Sequence, residues 1–350
     1  MTRRQILPLI FWLCLLPVSC FANDGFGGLT ATGLQFGHTD AVRMVREDLF
    51  LSADKVVVRY LFHNDATSGL KGEVIFPLPP ISLNELYSSG FSLNQSSLHS
   101  SNPVDFTVRV NGMPIPVRTE RRAILEPPYD KRQKGGDRYD TPGEDVTAVL
   151  NELGIPLSPD PQEITPILAK LSLPQKQRLQ RLGLVEMYSG NPPLALWSIV
   201  LNYHWTQWFP PGKDMQIEHS YNPAPPGGIF VWPAKESDLA PYQQKQIEQY
   251  CIDPPTRRGI VKRLYSSQNS GSLGNGMAIY LDYILTTANT WHGPIGTFHL
   301  TIDKGSPDNI LSLCLNGIKK TGPTRFELTR THFRPQRDLH LLFVAPLAAY

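Results

Sequence analysis

Proline interrupts this chain so often, 32 times in 350 residues, that no long helix can run through most of it. Each internal proline removes a helical hydrogen bond and clashes with the turn before it. Between the prolines and the 27 glycines, apolar residues recur at every second position, the period of a half-buried strand. Val56, Val58, Tyr60 and Phe62 share one face of such a strand, and residues 73–76 form another that Pro77 ends. Val104, Phe106, Val108 and Val110 alternate with Asp105, Thr107 and Arg109, and Asn111-Gly112 follows at once. That dipeptide suits the two-residue turn of a hairpin. Residues 113–117 are then the return strand, which Pro114 and Pro116 confine to a sheet edge. Further β runs lie at 196–207, 215–221, 277–287, 296–302, 310–315, 325–331 and 339–344. The expected fold is mainly β, with antiparallel, sandwich-like sheets.

Helical signals are confined to two places. Thr141-Pro142-Gly143-Glu144 has a cap, a proline at the first helical position and an acid three residues on, with Gly154 as a stop. Asp160-Pro161-Gln162-Glu163 repeats that logic, and a third short helix at 175–182 ends at Gly183. Together these make a small helical insertion, and a second helical stretch is expected over 239–264. Residues 118–142 carry dense charges of both signs among glycines and prolines, the composition of a mobile solvated loop. The expected organisation is a leader over 1–22, an N-terminal β region over 23–128, the charged loop and helical insertion over 129–190, and a C-terminal β region over 191–350.

The leader is read from Arg3 and Arg4, the uncharged apolar stretch 6–18, and the short Ser19-Cys20-Phe21-Ala22 segment. This is the charged, apolar, small-residue order of a secretory signal, with cleavage after Ala22. The apolar stretch is too short to span a bilayer comfortably. Cys20 is also the position at which a lipoprotein would be acylated, but Pro17 stands where such a signal wants an aliphatic residue. No second apolar run approaches spanning length. Removing the leader takes two of 33 basic residues and none of the 31 acidic ones, leaving 31 of each. That balance gives no electrostatic reason to expect a nucleic-acid partner. Cys14 and Cys20 leave with the leader, so Cys251 and Cys314 remain, most simply as one disulfide in an oxidising compartment.

The sequence contains no phosphate-binding Gly-x-x-x-x-Gly-Lys loop, no Gly-x-Ser-x-Gly elbow and no His-Glu-x-x-His helix. No cofactor is therefore expected. His204 and His219 are equidistant from the Pro210-Pro211-Gly212-Lys213 turn. Alternation shifts a hairpin there by one residue, pairing Trp205 with Ile217 and Tyr203 with His219, so no metal ligand is assigned. Trp197, Trp205, Trp208 and Trp232 fall within 36 residues of one another. Trp205, Trp208, Tyr221 and Trp232 are the candidate binding residues, through stacking on sugar rings or gripping a partner; buried, they would be core. Glu218 and Asp282 are carboxylates of the kind a sugar hydrolase uses, though no sequence spacing sets their separation.

Several phrases carry a family likeness. They include Tyr60-Leu61-Phe62-His63-Asn64, Phe76-Pro77-Leu78-Pro79, Trp205-Thr206-Gln207-Trp208-Phe209-Pro210, His219-Ser220-Tyr221-Asn222-Pro223, Tyr280-Leu281-Asp282-Tyr283 and Gly322-Pro323-Thr324-Arg325-Phe326-Glu327. Through them the chain resembles the exported bacterial domain-of-unknown-function family 4424 over nearly its whole mature length. The resemblance implies an exported protein with no assigned activity. Residues 45–117 alone look like the vault and inter-alpha-trypsin domain, through Phe62-His63-Asn64, Phe76-Pro77-Leu78-Pro79 and Val108-Arg109-Val110-Asn111-Gly112. That likeness implies a binding or scaffolding module.

The expectation is thus a non-enzymatic protein of the bacterial envelope, periplasmic or secreted, that binds an envelope protein or surface component through loops of a β scaffold. A carbohydrate-binding or carbohydrate-active protein that uses the aromatic cluster is the alternative.

Overall fold

The computed structural model describes residues 24–30, 33–88, 101–127, 143–266 and 273–347. The expected leader and the charged run at 131–138 lie outside them. Three larger sheets, a two-stranded one that pairs Val185–Glu186 with Leu194–Ala195, six short α-helices and two 3-10 turns make up the described chain.

The first sheet runs, in spatial order, Glu144–Asp145, Arg118–Leu125, Ser198–Phe209, Leu70–Pro77, Gly25–Thr30 and Gly33–Phe36. The second runs Lys319–Lys320, Arg325–Phe333, Ile295–Asp303, Val42–Ser52, Val56–Asn64, Asp214–Tyr221, Thr107–Val110 and Met113–Ile115. Every neighbour in both sheets is antiparallel except Ile295–Asp303 beside Val42–Ser52. Both sheets thus combine strands from the two halves of the sequence. The sheets face each other across one core: Tyr203 of the first stacks on Phe106 at 4.3 Å, and Phe209 meets Phe62 edge to face at 5.9 Å. Trp197 and Trp291 are fully buried.

A third sheet, Gly227–Pro233, Leu273–Tyr283, Leu339–Pro346 and Ile310–Leu313, packs against this sandwich. Its strand Leu339–Pro346 is covered on both sides, as near-continuous apolar sequence requires. Leu339, Leu341 and Phe343 join the main core. Leu342 and Val344 join a smaller core with Trp232, Tyr250, Ile260 and Leu264, roofed by helices Pro241–Tyr250 and Pro254–Ser266. Gln243 of the first helix donates to the Val231 carbonyl at 2.8 Å, and Tyr265 of the second donates to the Trp232 carbonyl at 3.1 Å. The Cys251–Cys314 disulfide, with 5.0 Å between α-carbons, ties the end of the first helix to the chain just past strand Ile310–Leu313.

Most period-two expectations hold, and the mainly β, antiparallel fold is the one observed. In strand Val56–Asn64 the buried apolar residues are Val56, Val58, Tyr60 and Phe62. Asn111 and Gly112, with φ of 47° and 80°, make the hairpin turn that pairs Val110 with Met113, and the return strand forms the sheet edge. Asp160 caps helix Pro161–Lys170 by accepting from the Gln162 amide at 2.8 Å.

Four expectations are corrected. Residues 118–125, read as loop, form a strand paired along Ser198–His204: Arg118, Glu120 and Arg122 lie on the outer face of the first sheet, and Arg121, on the other face, donates to the Leu157 and Ser101 carbonyls. The helix read from Thr141 begins at Thr147, since Glu144–Asp145 adds a short strand beside Ile124 and Leu125. The stretch 239–264 is two helices, broken at Cys251 with φ of 50°. Finally, His204 and His219 form no hairpin. Ser198–Phe209 pairs within the first sheet and Asp214–Tyr221 within the second, so Pro210-Pro211-Gly212-Lys213 is a crossover between layers.

Closing a loop of 63 residues should contribute about 4 kcal/mol through the denatured chain. Replacing both cysteines with serine should therefore lower the urea-unfolding free energy by roughly 2–4 kcal/mol. Adding reductant should lower it as far in the wild type and leave the double variant unchanged.

Candidate functional site

Two proline-rich connections shape a hollow in the described chain. Strand Leu70–Pro77 pairs with Ser198–Phe209 as far as Pro77 opposite Asn202, and pairing resumes at Ile81 opposite Ile199. Residues 78–80 thus face only Val200 and Leu201, and the extra residue pushes Pro79 and Pro80 outward as a bulge does. Proline suits this position because it brings no amide that would need a partner. The second connection, Pro223-Ala224-Pro225-Pro226, carries the chain from the second sheet to the third, where the Pro226 carbonyl accepts from the Tyr280 amide at 2.9 Å. Between these walls, the third sheet and helix Pro241–Tyr250 lies a cleft of about 450 Å³.

Its polar groups come from four separate elements. Glu85 stands on helix Leu83–Ser88, whose start is held by the Ser82 hydroxyl accepting from the Glu85 amide at 3.3 Å. Glu126 follows strand Arg118–Leu125 and accepts a short hydrogen bond from the Ser198 hydroxyl. Asp282, on the third sheet, is paired with the buried His340 through Nδ1 at 2.7 Å. Gln246 donates from Nε2 to Tyr280 Oη at 2.8 Å, which leaves its Oε1 a buried acceptor with no partner among the described residues. No lysine or arginine is among the described residues that line the cleft.

This crowding of acceptors shows in the acid–base chemistry. Enclosure in the cleft pushes the Glu85 carboxyl above its ordinary range, and the charges of Glu126 and Asp282 push it further. Burial also raises the Tyr280 phenol to about 12, against the pull of the Gln246 hydrogen bond. Yet the three carboxylates do not close on one point. Among the described residues no three His, Cys, Asp or Glu side chains are placed to hold a metal ion. The cleft offers negative charge spread over a molecule-sized space.

The candidate residues read from sequence are dispersed. Trp205 lies in the main core, Trp232 in the smaller one, and Trp208 stands 53% exposed on the first sheet. Tyr221 is buried at the inner end of the cleft, where burial raises its phenol far above its ordinary range. Asp282 lines the cleft, whereas Glu218 faces the other way on the second sheet and pairs with Arg59 at 2.5 Å. His204 bonds Glu73 at 2.9 Å on the outer face of the first sheet, and His219 bonds Asp24 at 2.8 Å in the core. Sequence reading missed Glu85, Glu126, Gln246 and Tyr280. The one visible signal was the pair of proline clusters that frame them.

The phrases Phe76-Pro77-Leu78-Pro79, Tyr221-Asn222-Pro223 and Tyr280-Leu281-Asp282 each contribute to this cleft. All three lie inside a sequence match that runs from residue 22 to residue 342. The chain belongs to the DUF4424 family. That family is described as a domain of unknown function. Among solved structures, this DUF4424 protein is similar to a “putative nutrient binding protein” of Legionella pneumophila, at 14% identity and a TM-score of 0.42, over 92% of this chain and 72% of that one. It is also similar to an M1 zinc metallopeptidase of Deinococcus radiodurans, at 9% identity and a TM-score of 0.26, over 88% and 43%. At these scores neither neighbour bears on the site. No curated protein matches the sequence.

The Glu85 carboxyl should titrate above the ordinary glutamate value of about 4.3 when followed by NMR. Glu126→Gln and Asp282→Asn should each bring it down without restoring the ordinary value, because enclosure remains the larger cause. A group raised in this way favours the folded state below its unfolded pKa and loses that contribution as pH rises through the folded one. Glu85→Gln should accordingly flatten that part of the stability profile.

Proposed function

We propose that this DUF4424 protein is an exported, non-enzymatic binding protein of the bacterial envelope whose cleft takes an organic cation with several N–H donors. The ligand class includes a di- or polyamine and the basic side chain of a peptide or protein partner. The observation that carries this reading is the placement of Glu85, Glu126 and Asp282 around one 450 Å³ cleft with no basic lining residue among those described. Carboxylates accept from ammonium and guanidinium groups more strongly than from neutral donors. Their spacing suits a ligand whose charge is distributed along its length. The Gln246 Oε1 acceptor adds a neutral N–H position, and the prolines with Leu78 and Leu281 supply apolar walls for a methylene chain.

Export is supported by the order of charge and apolar residues in the leader, by a family match that begins at residue 22, and by the Cys251–Cys314 disulfide. No helix among the described residues is long and apolar enough to cross a membrane.

Isothermal titration of the purified protein with putrescine, spermidine, arginine amide and a lysine-rich peptide tests the reading. At least one should bind. Glu126→Gln and Asp282→Asn should each weaken it by about tenfold, the effect of losing one charged hydrogen bond, and added salt should weaken it further. Failure of every cation to bind would overturn the proposal. So would binding that ignores both substitutions. Binding of cell-wall glycans that Trp208→Ala abolishes would move the function to the carbohydrate reading instead.

A further inference from the structure

The outer strands of the three larger sheets are not protected alike. Glu144–Asp145, Gly33–Phe36, Lys319–Lys320, Met113–Ile115 and Ile310–Leu313 are all short edges. The first and third of these consist of charged residues, and the fourth carries Pro114. Shortness, charge and proline are common means of keeping a sheet edge from pairing with another chain. The remaining edge, Gly227–Pro233, has seven residues, no charge, and its only proline at the far end. It is the one long apolar edge among the described residues.

Which of its backbone groups face outward follows from the register. Gly227 stands opposite Ile279, so Pro226 stands opposite Tyr280, whose amide donates to the Pro226 carbonyl. Opposite residues of an antiparallel ladder alternate between bonded and non-bonded pairs. Gly228, Phe230 and Trp232 therefore bond inward to strand Leu273–Tyr283, and Gly227, Ile229 and Val231 turn their backbone groups outward. Gln243 Nε2 donates to the Val231 carbonyl at 2.8 Å, which agrees with that phase and closes the edge at this end. Among the described residues, none bonds the outward groups of Gly227 and Ile229. The Ile229 side chain is 76% exposed beside the half-exposed Met277, which stands beside Ala345. An apolar stripe thus flanks the edge on one face.

The open end of this edge meets the acidic cleft. Gly227 lines the cleft, and the wall Pro223-Ala224-Pro225-Pro226 leads directly into the strand. We propose that Gly227–Val231 is a strand-addition site for an extended segment of a partner protein in which basic and apolar residues alternate. This rests on the reading of the cleft as a cation site. The partner's backbone pairs with the outward groups of Gly227 and Ile229 and with the Val231 amide. Side chains of a paired strand alternate between the two faces of the sheet. The apolar set lies beside Ile229 and Met277. The basic set lies on the face that carries Tyr280 and Asp282, and it enters the cleft at the Gly227 end. A second copy of this chain pairing through the same edge would leave the acids unanswered, because Gly227–Pro233 has no basic residue.

The probe is a blocked peptide that alternates lysine and valine over about nine residues, titrated into the purified protein beside putrescine. It should bind at least about tenfold more tightly than putrescine, because backbone pairing adds to the charge contacts. N-methylation removes an amide donor. Methylating one alternate set of the peptide's amides should weaken binding by about tenfold or more, and methylating the other set by less than about threefold, since only one set faces the edge. Ile229→Pro removes an outward amide without breaking a bond of the sheet. It should weaken the peptide by about tenfold and leave putrescine within about twofold. Should that variant fail to fold, the methylated peptides decide alone. A peptide that binds no more tightly than putrescine, or that tolerates both methylated sets, overturns this proposal and leaves the cation reading standing. Peptide binding that Glu126→Gln and Asp282→Asn leave unchanged overturns both, as does failure of both probes to bind. A dimer that sedimentation detects and Ile229→Pro dissociates assigns the edge to a second copy and overturns the proposal.

Discussion

Leu339, Leu341 and Phe343 point into the sandwich core, while Leu342 and Val344, on the opposite face of the same strand, point into the core beneath the helices. The position of the third sheet follows from that double burial. Shielding an apolar strand on both faces requires a layer on each side, here the sandwich and the helix pair. The neighbouring strand inherits the division: Leu281 and Tyr283 face the main core, and Ala278 faces the helices. Asp282 and Tyr280 therefore emerge on the helix-facing side at the rim where sheet and sandwich part. The cleft is the gap this arrangement leaves, and the register of the strand Leu273–Tyr283 turns Tyr280 and Asp282 into it.

The protein places acids in two environments. Around the cleft, Glu85 keeps contact with water, and burial together with the charges of Glu126 and Asp282 raises its affinity for protons. In the core, burial pushes the Asp24 carboxyl up while His219 pulls it down. The first arrangement can take up a charged molecule from solution. The second is sealed from solvent, with Asp24 and Glu47 both wholly buried.

Much of the fold was legible because half-buried strands write alternation into the sequence, as at Val56, Val58, Tyr60 and Phe62, and because Asn111-Gly112 admits few conformations. Legibility failed where one physical requirement masked another. Strand Val42–Ser52 escaped notice because its bulge breaks the alternation and puts Glu47 where an apolar residue would be expected. Strand Arg118–Leu125 read as loop because Glu120 and Arg122 serve a polar outer face, where Glu120 accepts from Asn202 at 3.0 Å and from the Leu34 amide at 2.9 Å. The tryptophans looked like a cluster only along the chain, since Trp205 and Trp208 take opposite faces of one strand in the first sheet and Trp232 lies in the third. The cleft was nearly invisible, because Glu85, Glu126 and Asp282 are separated by tens to hundreds of residues and no local pattern marks any of them.

Strand Val42–Ser52 runs parallel to Ile295–Asp303, with Arg46 aligned to Thr297 some 250 residues away. A contact of that span lies at the centre of the second sheet. Contact order of this kind slows folding, because the entropy of closing so long a loop must be spent before the pairing returns anything. This pair cannot form until Ile295–Asp303 has emerged from the ribosome, when only four further strands remain to be made. Until then, Val42–Ser52 waits with an unsatisfied edge. A chain so wired completes its second sheet late in synthesis, and its open edge is exposed to holding chaperones and proteases for longer than its size alone would predict.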